Sequence, residues 1–164
     1  MARGLYVLIA SLTLILLFAF WRPIPAEVWR VEHAAGAALL WALFGAGWLI
    51  VLLSTFLINH FELFGLQQVY LHARSREAAA PRFRTPFFYR TVRHPLYSGF
   101  FLAFWATPVM SHGHLLLAIG VSIYMLIAIR YEERDLVHLF GEDYENYRRD
   151  VGMLTPRWRR PARP

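Results

Sequence analysis

The chain has 164 residues, of which 57% are hydrophobic, and its formal net charge at neutral pH is +6. It contains no cysteine, which excludes a disulfide framework and any thiol chemistry of the protein's own. The arginines flank long apolar blocks and do not form a separate basic domain, so the membrane surface is the expected partner and nucleic acid is not.

Four apolar blocks organise the chain, and a helix needs about 20 such residues to cross a bilayer. The first block is residues 5–21. No convincing small-residue cleavage site follows it, so we interpret it as a retained anchor, with a signal peptide as the alternative. The second block, residues 34–58, is long enough to span. Residues 96–110 and 115–129 are each shorter and are predicted to form a helical hairpin.

The sequence joining the two hairpin blocks is Ser111-His112-Gly113-His114. Two histidines without a nearby carboxylate or cysteine make a weak metal site, so we interpret this stretch as a polar turn. No metal is expected in the protein.

Charge asymmetry between loops predicts the topology. In residues 72–94 six arginines face Glu77 alone, whereas residues 22–33 hold two arginines and two glutamates. Because positive residues mark the cytoplasmic side, the sequence predicts about four transmembrane helices with both termini cytoplasmic. The fold class is therefore all-α integral membrane. Short interfacial helices are predicted around residues 87–89 and where Tyr144, Tyr147 and Val151 form an apolar stripe.

Two polar stretches at the cytoplasmic membrane boundary are candidate sites. His94 precedes Pro95, and a proline favours the first helical position, so His94 should lie just outside a helix beside free backbone N–H groups. In the second stretch Asn59 and Glu62 share one helical face beside His60. Ionisable groups at the edge of hydrocarbon indicate a functional site, although a solvated helix end is an equal alternative here.

The predicted hairpin brings its two cytoplasmic ends together. One end holds Arg93, His94 and Tyr97, and the other holds Glu132 and Glu133, followed by the tyrosine helix. Such a set suits a ligand that carries an anion, a cation and a flat ring. S-adenosylmethionine has all three features, and aromatic faces favour onium groups.

The sequence resembles the integral-membrane methyltransferase superfamily, which includes isoprenylcysteine carboxyl methyltransferases and phospholipid N-methyltransferases. Two paired motifs carry the likeness over the C-terminal half: Arg93-His94-Pro95-Leu96-Tyr97-Ser98-Gly99, and Glu132-Glu133-Arg134-Asp135-Leu136 with Phe140-Gly141-Glu142-Asp143-Tyr144-Glu145-Asn146-Tyr147. Residues 53–69 and 104–108 are similar to the bacterial methanethiol S-methyltransferase branch. Members of that branch are expected to carry further apolar sequence ahead of the block at residues 5–21.

The resemblance implies methyl transfer from S-adenosylmethionine to methanethiol, giving dimethyl sulfide, in the bacterial inner membrane. It implies one domain over residues 1–164, with N-terminal spans at 1–72 and a cofactor-binding part at 73–164. The implied cofactor residues are Arg93, His94, Pro95, Tyr97, Gly99, Glu132, Glu133, Tyr144 and Tyr147. The catalytic candidates are Asn59, His60 and Glu62, with His60 as the base that takes the thiol proton.

Two alternatives stay open from the sequence. A prenylcysteine acceptor would be carboxyl-methylated and would require a wide lateral opening between helices. A non-catalytic membrane protein could use the charged residues only as an interfacial ion-pair network, since charged clusters indicate sites only probabilistically. Cofactor binding separates this second alternative from both enzymes.

Overall fold

A computed structural model describes residues 2–57 and 87–157, and helices make up most of both ranges. The first range contains α1 (Ala2–Ala19), β1 (Glu27–Arg30) and α2 (Ala34–Leu57). The second contains a 3₁₀ turn (Phe87–Arg90), α3 (Pro95–Trp105), β2 (Val109–Ser111), α4 (His112–Phe140) and α5 (Glu142–Asp150).

Two helices in the described ranges are long and apolar enough to cross a membrane, namely Ala34–Phe56 within α2 and the whole of α4. Their mean hydropathies are 2.1 and 1.9, and few of their residues are buried inside the protein. The apolar stretch of α1, Val7–Ala19, is shorter. The structure therefore agrees with a mostly helical membrane protein, while the number of four spans stays a prediction.

The third apolar block forms a shorter helix than predicted. Helix α3 has 11 residues and is about 16 Å long at a rise of 1.5 Å per residue, less than a bilayer core requires. It ends at Trp105, and Pro108 follows closely. A proline disfavours helical geometry in the residue before it and cannot donate a backbone hydrogen bond, so the helix does not continue to Met110.

The fourth block forms a much longer helix than predicted. Helix α4 begins at His112 and runs 29 residues, so the charged stretch after Ile129 lies on its last turns. The side chain of Ser111 caps it by accepting a hydrogen bond from the His114 N–H. It ends before Gly141, whose φ of +55° favours glycine, and α5 begins immediately afterwards.

A small antiparallel sheet was missed by the all-α prediction. Residues 22–33 contain β1, which pairs with β2 and sets Trp29 opposite Met110 and Arg30 opposite Val109. The predicted polar turn at residues 111–114 is wrong, because Ser111 ends β2 and His112 starts α4. The His112 ring and its backbone N–H both bond to the Ala26 carbonyl. The sheet lies at the ends of α3 and α4 opposite to the predicted site.

Helices α2 and α3 make the largest helix–helix contact in the described chain, and glycines allow it. A Cβ added at Gly47 would lie 2.6 Å from the Ala103 nitrogen and 2.8 Å from the Gly99 oxygen. Close approach through small residues is the usual way helices pack in membranes. Trp48 packs edge-on against the Phe100 and Phe104 rings beside this contact. Helix α2 thereby holds α3, whose first residues belong to the predicted site.

The replacement Gly47→Ala should destabilise the protein by about 1–3 kcal/mol, because the new methyl group meets backbone atoms that cannot move aside. Gly45→Ala is the matched control, since nothing lies within 4 Å of its added Cβ. Both replacements gain the same helix propensity, so only packing differs. Thermal unfolding in detergent compares them, and equal midpoints would contradict the close contact.

Candidate functional site

The N-terminus of α3 has the geometry that the sequence predicts. His94 is the N-cap residue and Pro95 occupies the first helical position, where its missing N–H has no intrahelical partner to lose. His94 is 4% exposed, and Pro95 is fully buried. The predicted helix mouth is confirmed, and it holds the His94 ring in the interior.

A short non-helical segment crosses this helix mouth. We call residues 151–154 the strap. The Arg93 N–H donates a hydrogen bond to the Gly152 carbonyl at 2.8 Å, and the His94 N–H donates to the Met153 carbonyl at 3.1 Å. The Ser98 hydroxyl donates to the Leu154 carbonyl at 2.7 Å. The N–H groups of Arg93 and His94 are therefore engaged by the protein's own carbonyls.

The Glu133 carboxylate joins the elements of the site. Its Oε1 accepts a hydrogen bond from Arg93 Nε at 2.7 Å and lies 3.1 Å from His94 Nε2. Its Oε2 lies 3.9 Å from Arg148 Nη1 on α5. The Glu133 and Arg93 side chains are only 13% and 10% exposed. Arg93 Nη1 also donates to the carbonyls of Arg148 and Val151, so its guanidinium is held by α4, α5 and the strap together.

Glu132 differs from its neighbour because its side chain is 48% exposed. Its Oε2 lies 3.7 Å from His94 Nδ1, and the Tyr97 side chain forms a hydrogen bond with it. The Tyr97 and His94 rings are 5.7 Å apart between centroids. A carboxylate, an imidazole and a phenol thus converge beside a surface that a ligand can reach.

Tyrosines on α5 and in the 3₁₀ turn close one side of the cluster. Tyr144 is 2% exposed, and its ring lies 5.7 Å from that of Tyr147. The Tyr147 hydroxyl donates to the Tyr89 carbonyl at 2.5 Å. Burial raises the pKa of Tyr147 and that of Tyr89 to about 12, and it raises the pKa of Tyr144 as well. These phenols therefore stay protonated near neutral pH and act as donors and apolar walls.

Most of the predicted cofactor residues lie together, but two have other surroundings. Gly99 faces α2, because a Cβ there would lie 2.8 Å from the Gly47 oxygen. Pro95 is buried at the helix start. Asn59, His60 and Glu62 lie outside the described residues. In the described ranges no group of three or more histidine, cysteine or acidic side chains is placed to hold a metal ion.

Sequence reasoning missed the strap, Arg148 and the role of Ser98. Ser98 lies inside the motif at residues 93–99, so the sequence could have singled it out. Its hydrogen-bond partner, however, is the backbone carbonyl of Leu154, 56 residues away. Backbone carbonyls exist at every residue, and pairing of this kind leaves no mark in the sequence. Arg148 follows Tyr147 on a polar helix, and its position in the sequence does not distinguish it from the neighbouring Arg149.

The fold and this cluster define a helical membrane protein whose interfacial site combines buried ion pairs with one exposed carboxylate. The model of the phospholipid methyltransferase family matches residues 32–143, which include α2, α3 and all of α4. The chain belongs to this family. No solved structure matches it.

Several curated relatives are similar to nearly the whole chain. A methanethiol S-methyltransferase of Crocosphaera subtropica is 53% identical over 95% of this chain and 61% of its own length. Methanethiol S-methyltransferase 1 of Bradyrhizobium diazoefficiens is 54% identical over 96% of the chain and 55% of its own length. The methanethiol S-methyltransferase of Mycobacterium tuberculosis is 54% identical over 94% of the chain and 63% of its own length. The chain thus spans somewhat under two thirds of these relatives.

Glu133→Ala should destabilise the protein by about 3–5 kcal/mol, because it leaves the Arg93 guanidinium buried without its carboxylate. Glu132→Ala is the matched control on the next residue and should cost no more than about 1 kcal/mol, since that side chain is half exposed. Denaturation in mixed micelles measures the free energy of unfolding of both variants. Equal losses would contradict the central place of Glu133.

Proposed function

We propose that this protein transfers a methyl group from S-adenosylmethionine to methanethiol and so produces dimethyl sulfide. The observation that carries the proposal is the identity of 53–54% to relatives named methanethiol S-methyltransferase, which extends over at least 94% of this chain. Membership of a methyltransferase family supports the reaction type. The relatives are longer than this chain, so their names do not by themselves establish its activity. The methyl transfer is therefore stated as a proposal.

The cofactor fits best at Glu132. Its half-exposed carboxylate, with the Tyr97 ring and the His94 imidazole beside it, suits the cationic and polar groups of S-adenosylmethionine. Arg93 fits this role less well than the sequence suggested, since its guanidinium already binds Glu133 and two backbone carbonyls. We infer that Arg93 positions Glu133 and the strap, while Glu132, His94 and Tyr97 contact the cofactor.

S-adenosylmethionine, when bound, supplies an electrophilic methyl group that passes to the acceptor sulfur, leaving S-adenosylhomocysteine and a thiol proton for a base. The protein's part is alignment, which is the principle of proximity catalysis. The thiolate is the nucleophile, so a base near the acceptor is useful. We propose His60 for that base, oriented by Glu62, with Asn59 contacting the acceptor.

We propose that the protein crosses the bacterial inner membrane four times with both termini cytoplasmic, and that the residues leading from α3 into β2 complete the crossing that the short α3 begins. The arginine-rich loop at residues 72–94 supports this orientation. The site then lies at the cytoplasmic boundary, where S-adenosylmethionine is available, and the two-stranded sheet lies on the other side. Reporter fusions after Arg30 and after Arg82 should report opposite sides, and the same side for both would refute the topology.

Glu132→Ala and His94→Ala should each weaken the binding of S-adenosylmethionine about ten- to a hundredfold, because each removes a charge-assisted contact worth about 1.5–3 kcal/mol. Glu145→Ala is a matched control, since this exposed carboxylate on α5 lies outside the cluster. Calorimetry on detergent-purified protein measures the dissociation constants. Unchanged binding in both cluster variants would place the cofactor elsewhere, and no binding by the wild type would favour a purely structural ion-pair network.

His60→Ala should lower turnover of methanethiol more than it lowers cofactor affinity, and raising the pH toward the pKa of the thiol should partly restore the rate. The reason is that solution then supplies the thiolate. His138→Ala, which removes an exposed histidine from α4, is the control. Headspace gas chromatography of dimethyl sulfide across pH measures the effect. Wild-type activity of His60→Ala at neutral pH would remove this residue from the mechanism.

The same assay tests the reaction itself. If the wild type binds the cofactor and makes no dimethyl sulfide, labelled S-adenosylmethionine with prenylcysteines and phospholipids identifies the acceptor. Methylation of a prenylcysteine carboxylate would then replace the thiol in the proposal.

A further inference from the structure

An apolar groove of 390 Å³ lies beside the cluster, between α4 and the strap. Five of its lining residues, at positions 123, 126, 127, 130 and 133, recur at the spacing of one helical face of α4. Met153 of the strap forms the opposite wall. Glu133 belongs both to this groove and to the ion-pair cluster, so the groove is continuous with the site.

The strap keeps the Met153 wall in place. The backbone of Met153 accepts a hydrogen bond from the His94 N–H, and its neighbours Gly152 and Leu154 accept bonds from Arg93 and Ser98. Val92 and Gly152 also form a parallel bridge. With both flanking residues fixed, the groove exists before any ligand arrives, which lowers the cost of binding.

The chemistry of the groove selects a neutral, alkyl-bearing ligand. Its apolar lining is Ile123, Leu126, Ile127, Ile129 and Met153, and among the described lining residues charge appears only at Arg130 and Glu133. A free charged ligand would lose hydration along these walls without compensation. Ile123, Leu126 and Ile127 are 54%, 42% and 51% exposed on a helix able to cross the membrane, so the groove opens where lipid-soluble molecules collect.

We propose that this groove binds the alkyl group of the acceptor thiol and that the protein therefore accepts straight-chain alkanethiols longer than methanethiol. The proposal rests on the proposed function, in which His60 and Asn59 serve the acceptor at its sulfur, and it adds the acceptor class and the site of the alkyl group. A one-carbon thiol leaves most of the groove unfilled, whereas each further CH2 buries apolar surface on the walls. The expected gain in kcat/KM is about fourfold per CH2 until the groove is full.

The test replaces a wall residue with tryptophan and compares methylation of methanethiol and 1-butanethiol. Ile127→Trp should lower kcat/KM for 1-butanethiol at least tenfold and change the value for methanethiol much less. Ile119→Trp is the matched control, because Ile119 is exposed on the same helix and does not line the groove. Each thiol partitions into the membrane equally for both variants, so partition does not affect the comparison between them. Leu126→Trp is a second filling variant, should Ile127→Trp fold poorly.

Photolabelling, which needs no turnover, tests binding in the groove independently of the methyl-transfer reaction. A diazirine-bearing pentanethiol, activated by light in the presence of S-adenosylhomocysteine, should label peptides of α4 and of the strap in the wild type and in Ile119→Trp. Labelling should fall at least fivefold in both filling variants. If labelling follows this pattern while no thiol is methylated, the groove stands and the methanethiol reaction fails. If filling variants and control are labelled and react equally, the groove belongs to membrane lipid and the proposal is overturned.

Discussion

The Glu133 carboxylate is the interaction on which the arrangement of the site depends. It pairs with Arg93 and His94 from the start of α3 and approaches Arg148 on α5, so one side chain of α4 connects three helices. Charges at the edge of hydrocarbon are costly unless they are paired and hydrogen-bonded. Arg93 meets this condition by also donating to two backbone carbonyls. The pairing requires α4 to continue past the apolar block, which explains why this helix is long.

The features that the sequence predicts well are local ones. Helix α2 follows from one continuous apolar block, and the His94 cap follows from Pro95. Helix α5 follows from the i, i+3 spacing of its tyrosines, and burial of Tyr144 agrees with that spacing. The motifs also bring together Arg93, His94, Tyr97, Glu132 and Glu133, because a helix pair returns to the same side. Each of these predictions depends on the side chains of residues that are close together in the sequence.

The features that the sequence does not predict depend on distant backbone pairing. The strands β1 and β2 are only 4 and 3 residues long, so no periodicity indicates them. Trp29 of β1 also donates to the Thr107 carbonyl, 78 positions away in the sequence. The strap binds through its carbonyls, which every residue possesses. The apolar blocks also predicted the wrong ends for the two hairpin helices, because α3 ends at Trp105 and α4 continues to Phe140. Hydropathy falls at Glu132 and Glu133, but the backbone stays helical because no proline or glycine lies between Glu133 and Gly141.

Two neighbouring glutamates serve different ends because successive residues of a helix point about 100° apart. Glu133 points among Arg93, His94 and Arg148 and is largely buried, so its charge is matched within the protein. Glu132 points past the His94 ring toward an exposed surface, where it contacts Tyr97 and approaches His94 at a longer distance. His94 lies between them, with Nδ1 toward Glu132 and Nε2 toward Glu133. The half-exposed carboxylate of Glu132 therefore stays partly unmatched, while the paired carboxylate of Glu133 holds the surrounding helices together.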